Sequence, residues 1–226
     1  MSERELGKYI VIEGSDGTGK STQAIRIANH LGELGLDPLL VYNDETDRME
    51  PVQEPGGTPE ANIIRKKIKD KTIPRTPWDN VVWFTDARVP IWNKAILPAL
   101  QAGRPVVTAR SWISTVAYQG YGEGIPVPTI EAYTRHRVGE QYMQPDLLAI
   151  LALQSERDRR QRMKIRGDQH QTDTFESMPE EFQQGMQNGY VRYASENNVL
   201  LLDASKTEDE LTEDLWEHIE PVIFSK

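Results

Sequence analysis

Cysteine is absent from this chain of 226 residues. Disulfides, thiolate nucleophiles, Cys-ligated zinc and iron–sulfur clusters are therefore excluded. Long apolar runs are missing too. None reaches the roughly 18 residues that a membrane-spanning helix needs. The opening MSERELGKYIVIEG lacks the apolar centre of a secretory signal, so neither secretion nor a membrane partner is expected. Positive charge is scarce: 26 Lys and Arg face 35 Asp and Glu, a net charge of −9. That excess argues against a broad nucleic-acid face, because duplex affinity comes largely from phosphate neutralisation. It leaves room for a small anionic ligand, which needs only a local basic cluster. The four histidines, His30, His136, His170 and His218, are scattered without ligand spacing. These features suit a cytoplasmic protein.

The chain is of a size for one domain, 1–226, that needs no covalent staple. Short apolar runs at Lys8–Glu13, Leu39–Tyr42, Pro105–Thr108, Leu147–Leu153 and Val199–Leu202 read as strands. Helical patterns run from Lys20 to about Leu34, and over Pro59–Lys71, Asp79–Ala102, Thr129–Tyr142, Ser155–Ile165, Pro179–Asn197 and Thr207–Ile219. The third is expected to kink near Pro90 and Pro98. Asn43–Gln53 is polar and reads as a surface loop or insertion, and Gly167–Ser177 as a polar mobile stretch. Alternating strands and helices predict an α/β protein with a parallel sheet and helices on both faces.

The strongest motif is Gly14-Ser15-Asp16-Gly17-Thr18-Gly19-Lys20-Ser21, followed by Thr22. It matches the phosphate-loop pattern G-x-x-x-x-G-K-[ST], which arises by chance in a chain this long about once in a hundred. A strand precedes it and a helix follows. Glycines let several backbone N–H groups face one anion, and the helix N-terminus adds partial positive charge. Lys20 can reach the β- and γ-phosphates of a nucleotide, and Ser21 can place a hydroxyl on Mg²⁺. The chain lacks an N-K-x-D guanine motif.

Ile10–Gln23 (IVIEGSDGTGKSTQ), Glu54–Thr58 (EPGGT), Phe84–Arg88 (FTDAR), Ser114–Gly120 (STVAYQG) and Pro145–Leu147 (PDL) occur in this order. Together they resemble thymidylate kinase, from about Lys8 to Asp203. The resemblance implies a P-loop kinase fold with a mobile lid at about 157–177, usually a homodimer. It implies transfer of the ATP γ-phosphoryl group to dTMP with Mg²⁺. It implies that Asp16 touches the deoxyribose 3′-hydroxyl, that Arg65 binds the dTMP phosphate and that Phe84 stacks on thymine. By the same match Arg88 hydrogen-bonds the base edge and Arg110 steers the acceptor phosphate. Glu54, Pro55, Ser114, Thr115 and Gln119 fall at the substrate, and Tyr118 limits space beside the sugar. Arg162 and Arg166 fall in the lid, where they would add positive charge. By spacing alone, Phe84 and Tyr118 read equally as core, Arg65 as a solvated helix charge, and the basic run Arg157–Arg166 as a wet helix face.

Several positions depart from the family pattern. Ala109 precedes Arg110 where the family usually has aspartate, and Ala152 stands where a second aspartate is common. Ser111 and Gln53 replace an aromatic or histidine and an arginine. The lid's Asp-Arg-x-Glu is written Asp173-Thr-Phe-Glu176. Two further readings therefore stand beside the dTMP kinase: a kinase for another pyrimidine monophosphate, and a nucleotide-binding relative with little turnover.

Overall fold

The computed structural model describes residues 6–153, 162 and 178–225. Its main sheet has five strands, all parallel, in the order β4-β5-β1-β6-β7. They are β1 Tyr9–Gly14, β4 Val52–Gln53, β5 Val106–Ala109, β6 Leu147–Ala152 and β7 Leu200–Asp203. Two more strands, β2 Val41–Asn43 and β3 Arg48–Glu50, form a separate antiparallel hairpin. The expected five-stranded α/β architecture holds, with one correction. The apolar run Leu39–Tyr42 supplies the hairpin, and the second strand of the sheet comes from the end of the polar stretch, Val52–Gln53. Hairpin turn residues at 43–47, with Asp47 at φ 56°, explain why a polar segment folds here. The expected loop is thus a hairpin followed by a strand.

Side chains of β1 alternate between two cores, as the strand period of 2 requires. Ile10 and Ile12 pack under α1 (Lys20–Glu33) and α9 (Glu208–Ile223), with Ile27, Leu211 and Leu215. Tyr9 and Val11 face the opposite layer, built from α2 (Pro59–Lys69), α3 (Pro77–Ile91), α6 (Val127–Arg137) and α8 (Glu180–Glu196). β1 is buried along its whole length, as befits a central parallel strand.

The long helical pattern does run unbroken from residue 77 to 101. It widens to a π-helical stretch at Trp92–Ile96 before α4 (Leu97–Gln101). Pro98 has no N–H and its ring crowds the preceding turn, so a wider turn there accommodates it. A second π-helical stretch, Val116–Gly122, extends α5 (Trp112–Thr115). The expected helix Thr129–Tyr142 is two helices: Gly139, at φ 117°, separates α6 from α7 (Glu140–Met143). Thr207 caps α9 in a reciprocal pair with Glu210. Among the described residues no helix is long and apolar enough to cross a membrane. The expected helix Ser155–Ile165 lies outside the described residues except for Arg162, and the lid stretch beyond it lies outside them entirely.

Leu215 is fully buried beneath the sheet. Leu215→Ala should lower stability by about 2–5 kcal/mol, read as a lower urea midpoint at unchanged slope. A loss below about 1 kcal/mol would mean that α9 does not close this core.

Candidate functional site

The phosphate loop leaves β1 at Gly14, which has φ 145°. A Cβ on Gly14 would lie 2.5 Å from the Leu151 carbonyl oxygen and 2.7 Å from Thr18 Oγ1, so only glycine fits. Gly19, at φ 85°, turns the chain into α1 without a side-chain cap. The first N–H groups of α1 therefore remain as donors at the mouth of the loop. Ser21 and Thr22 sit on this first turn. The loop stands at the end of β1, between the strands that run off to either side of the sheet, where ligands of such folds collect.

Inside the loop, Lys20 Nζ donates to the Ser15 carbonyl and to Asp16 Oδ1, each at 3.2 Å. Asp16 also accepts from Arg110 Nη2 and, at 2.9 Å, from the Tyr118 hydroxyl. Burial works against the Asp16 charge, but Arg110 and Lys20 overcome it and hold the carboxyl well below the usual carboxylate range. Lys20 is lowered to about 8, first by burial and then by Arg110 nearby, against the pull of Asp16. Arg110 further donates to Ser114 Oγ at 3.1 Å and lies over the Tyr118 ring at 5.5 Å. Its φ of 74° is a left-handed conformation unusual for a side chain this large.

The turn after Arg110 is fixed by Glu13, the buried acid at the end of β1. Glu13 Oε1 accepts from Ser111 N at 2.5 Å, Ser111 Oγ at 2.9 Å and Ser114 N at 3.0 Å. Its Oε2 accepts from Ser114 Oγ at 2.8 Å, Tyr190 OH at 3.2 Å and Gly14 N at 3.3 Å.

A second cluster surrounds the EPGGT segment. The Glu54–Pro55 bond is cis, and Thr58 caps α2 by accepting from Ala61 N. Glu54 Oε2 accepts from Arg88 Nε at 2.8 Å and Tyr142 OH at 2.7 Å, while its buried Oε1 has no donor. Burial pushes the Glu54 carboxyl up to about 7 against the opposing pull of Arg88 and Tyr142. Arg88 also donates to Thr115 Oγ1 at 2.8 Å and to the Ser111 carbonyl at 2.5 Å, and lies 5.8 Å from the Phe84 ring centroid.

The structure thus brings Asp16, Lys20, Arg110, Ser114 and Tyr118 into one network, and Glu54, Arg88, Thr115 and Phe84 into another beside it. Gln119 is buried one turn beyond Thr115. Arg65 makes its contacts elsewhere: with Glu45 on the hairpin turn, at 3.2 and 3.3 Å, and with the Gln53 carbonyl at 3.2 Å. Arg162 donates to the Ala204 carbonyl, and Arg166 lies outside the described residues. Sequence reasoning missed Tyr190, Tyr142, Asn80 and Glu123, and weighed Glu13 only as a stand-in for the absent aspartates at a metal. A lone acid closing an otherwise apolar strand was the available signal for Glu13. The tyrosines come from distant segments and carried none.

The fit to nucleotide phosphates is good: a glycine cradle, a helix N-terminus and two cations. For Mg²⁺ the described residues offer the Ser21 hydroxyl. Glu13 and Asp16 are already taken up by donors, and Ala109 packs in the apolar cluster with Ile12, Ala24 and Leu151. No group of three or more His, Cys, Asp or Glu suited to a metal occurs among the described residues. A Mg²⁺ ion held by Ser21 would draw its other ligands from phosphates and water.

Comparison with known proteins gives a consistent answer. The family model described as thymidylate kinase matches residues 12–215. The thymidylate kinase of Neorickettsia sennetsu is 35% identical over 189 residues, covering 82% of this chain and 80% of that protein. That of Chlorobaculum parvum is 30% identical over 209 residues, covering 89% and 90%. The crystal structure of thymidylate kinase from Ehrlichia chaffeensis shares the fold with a TM-score of 0.70, at 21% identity, over 95% of this chain and 99% of that one.

Glu54 generates a stability test. Its carboxyl is raised in the folded state, so folding takes up a proton between about pH 4.5 and about pH 7. Stability from this group is complete below the lower value and is lost as pH rises through the upper one. Urea midpoints across this range should fall less with rising pH in Glu54→Gln than in the unsubstituted protein. Parallel profiles would show that Glu54 is ionised throughout.

Proposed function

The chain belongs to the thymidylate kinase family, and from that premise we propose that it transfers the γ-phosphoryl group of ATP-Mg²⁺ to dTMP, giving dTDP and ADP. The observation that carries this reading is the meeting of Lys20 and Arg110 on one carboxylate, Asp16. Lys20 belongs to the donor nucleotide's phosphate loop. Arg110 comes from the turn after β5, on the acceptor side. One carboxylate therefore sets the distance between the cation that serves the donor phosphates and the cation that serves the acceptor phosphate.

Phosphoryl transfer asks mainly for two polyanions held in line with their charge neutralised. The loop N–H groups and Lys20 hold the β- and γ-phosphates. Arg110, whose planar fork suits phosphate oxygens, orients the acceptor. An acceptor oxygen forms the new bond to the γ-phosphorus as the bond to the β–γ bridging oxygen breaks, and ADP leaves. Mg²⁺ supplies further neutralisation of the phosphate charge when bound. Asp16, held ionised, can accept from a sugar hydroxyl while keeping Arg110 in place. Arg65 is a second acceptor-phosphate ligand once it exchanges Glu45 for phosphate. Phe84 supplies the face on which the base stacks. A cytoplasmic homodimer, with the lid cations Arg162 and Arg166 closing over the phosphates, belongs to the same proposal.

Ala109 favours a second reading, nucleotide binding with slow turnover. A methyl group in an apolar cluster supplies nothing to a metal's surroundings, and loss of one electrostatic contact costs about 10²–10³ in rate.

ATP-Mg²⁺ incubated with dTMP, dUMP, dCMP, dGMP, dAMP and UMP in parallel, with products read by mass, separates these readings. dTDP is expected as the main product, falling at least about 10²-fold in Lys20→Ala. A different preferred acceptor, or no product from any, would contradict the proposal.

A further inference from the structure

Three residues of α3, Asn80, Phe84 and Arg88, are spaced four apart and so share one face. Thr115, Gln119 and Glu123 are spaced likewise along α5 and its π-helical extension. The two rows face each other in opposite directions. Arg88 Nη1 meets Thr115 Oγ1 at 2.8 Å at one end, and Asn80 Nδ2 lies 3.5 Å from both Glu123 oxygens at the other. Phe84 and Gln119 hold the middle positions of the two rows. Gln119 Nε2 donates to Glu123 Oε2 at 3.0 Å. An ionised carboxylate has no proton to give, so both amides must turn their NH₂ groups toward it. Their carbonyl oxygens, Gln119 Oε1 and Asn80 Oδ1, are left buried and without a donor. A buried acceptor in that state favours any ligand that brings an N–H to it. The backbone holding Glu123 is itself fixed, its N–H bonded to the Tyr118 carbonyl at 3.0 Å.

We propose that Glu123, with Asn80, is a positioning residue for base selection: it locks the Gln119 amide so that Oε1 serves as the acceptor for the ring N–H of an imide base such as thymine or uracil. Resting on the dTMP-kinase reading, this names what rejects cytosine. Cytosine carries a bare ring nitrogen at that edge, and it would face Gln119 Oε1 with two acceptors and no proton. Arg88, a donor at the far end of the same rows, complements the imide's exocyclic oxygen.

The test is calorimetric binding of dTMP and dCMP to the full chain, which does not depend on turnover. The unsubstituted protein should prefer dTMP. Glu123→Gln has the same size but can both give and accept a proton, so the Gln119 amide becomes free to turn over. The dTMP/dCMP preference should fall about tenfold or more, and in kinetics the dTMP KM should rise while the ATP KM holds. Exchanging the two groups, Glu123→Gln with Gln119→Glu, again leaves an acceptor oxygen at position 119 and should restore the preference. A merely structural Glu123 predicts no such rescue. Unchanged preference in Glu123→Gln, failure of the exchange to restore it, or no preference in the unsubstituted protein would each overturn the inference. Preference for dTMP without dTDP formation would overturn the kinase reading alone and leave this one standing.

Discussion

The Glu13 carboxylate is the contact on which the rest of the site depends. A charge fully removed from water is tolerable only when donors surround it, and Glu13 gathers six, from Gly14, Ser111, Ser114 and Tyr190. Those donors come from β1, from α5 with its N-cap Ser111, and from α8. One side chain therefore registers three elements that are far apart in sequence. It also accounts for the left-handed backbone at Arg110. Bringing Ser111 N and Ser114 N to Glu13 bends the chain immediately beyond the sheet, and the residue at the bend takes φ 74°. Such a conformation costs about 1–3 kcal/mol. It is over-determined here by the hydrogen bonds on either side of it, and its outcome is a guanidinium delivered to Asp16.

Cations and carboxylates are paired at this centre. The carboxylates within it are engaged, Glu13 by hydroxyl and amide donors, Asp16 by Lys20, Arg110 and Tyr118, and Glu54 by Arg88 and Tyr142. Ala109, where the family usually has an acid, is packed as core beneath α1. An acid there would have to be desolvated among Ile12, Ala24 and Leu151. The site so arranged is suited to hold phosphate charge, with little protein carboxylate left over for a metal.

The phosphate loop, the parallel sheet and the helices to both sides were legible in the sequence because they rest on local patterns: a glycine spacing, apolar runs and a 3.6-residue period. What was illegible depends on distance. Leu39–Tyr42 is as apolar as a sheet strand, yet its place is taken by Val52–Gln53, since the register against β5 is set by tertiary pairing at Thr108 and Ala109. Gly139 divides a helical pattern that composition alone would continue. Arg88 reads as a free base contact from its motif, whereas the fold also engages it with Glu54, Thr115 and the Ser111 carbonyl. Glu45, in a stretch that reads as polar loop, reaches Arg65 only because the hairpin turns it over α2.

Central to the account is that donor and acceptor phosphates meet at Asp16, between Lys20 and Arg110. The most direct measurement is calorimetric binding of adenosine and thymidine joined through five phosphates, compared with ADP and dTMP separately. The account predicts that the joined compound binds at least about 10²-fold tighter than either nucleotide alone, and that Lys20→Ala and Arg110→Ala each remove most of that advantage. Binding no tighter than ADP would place the two phosphate sites apart and contradict it.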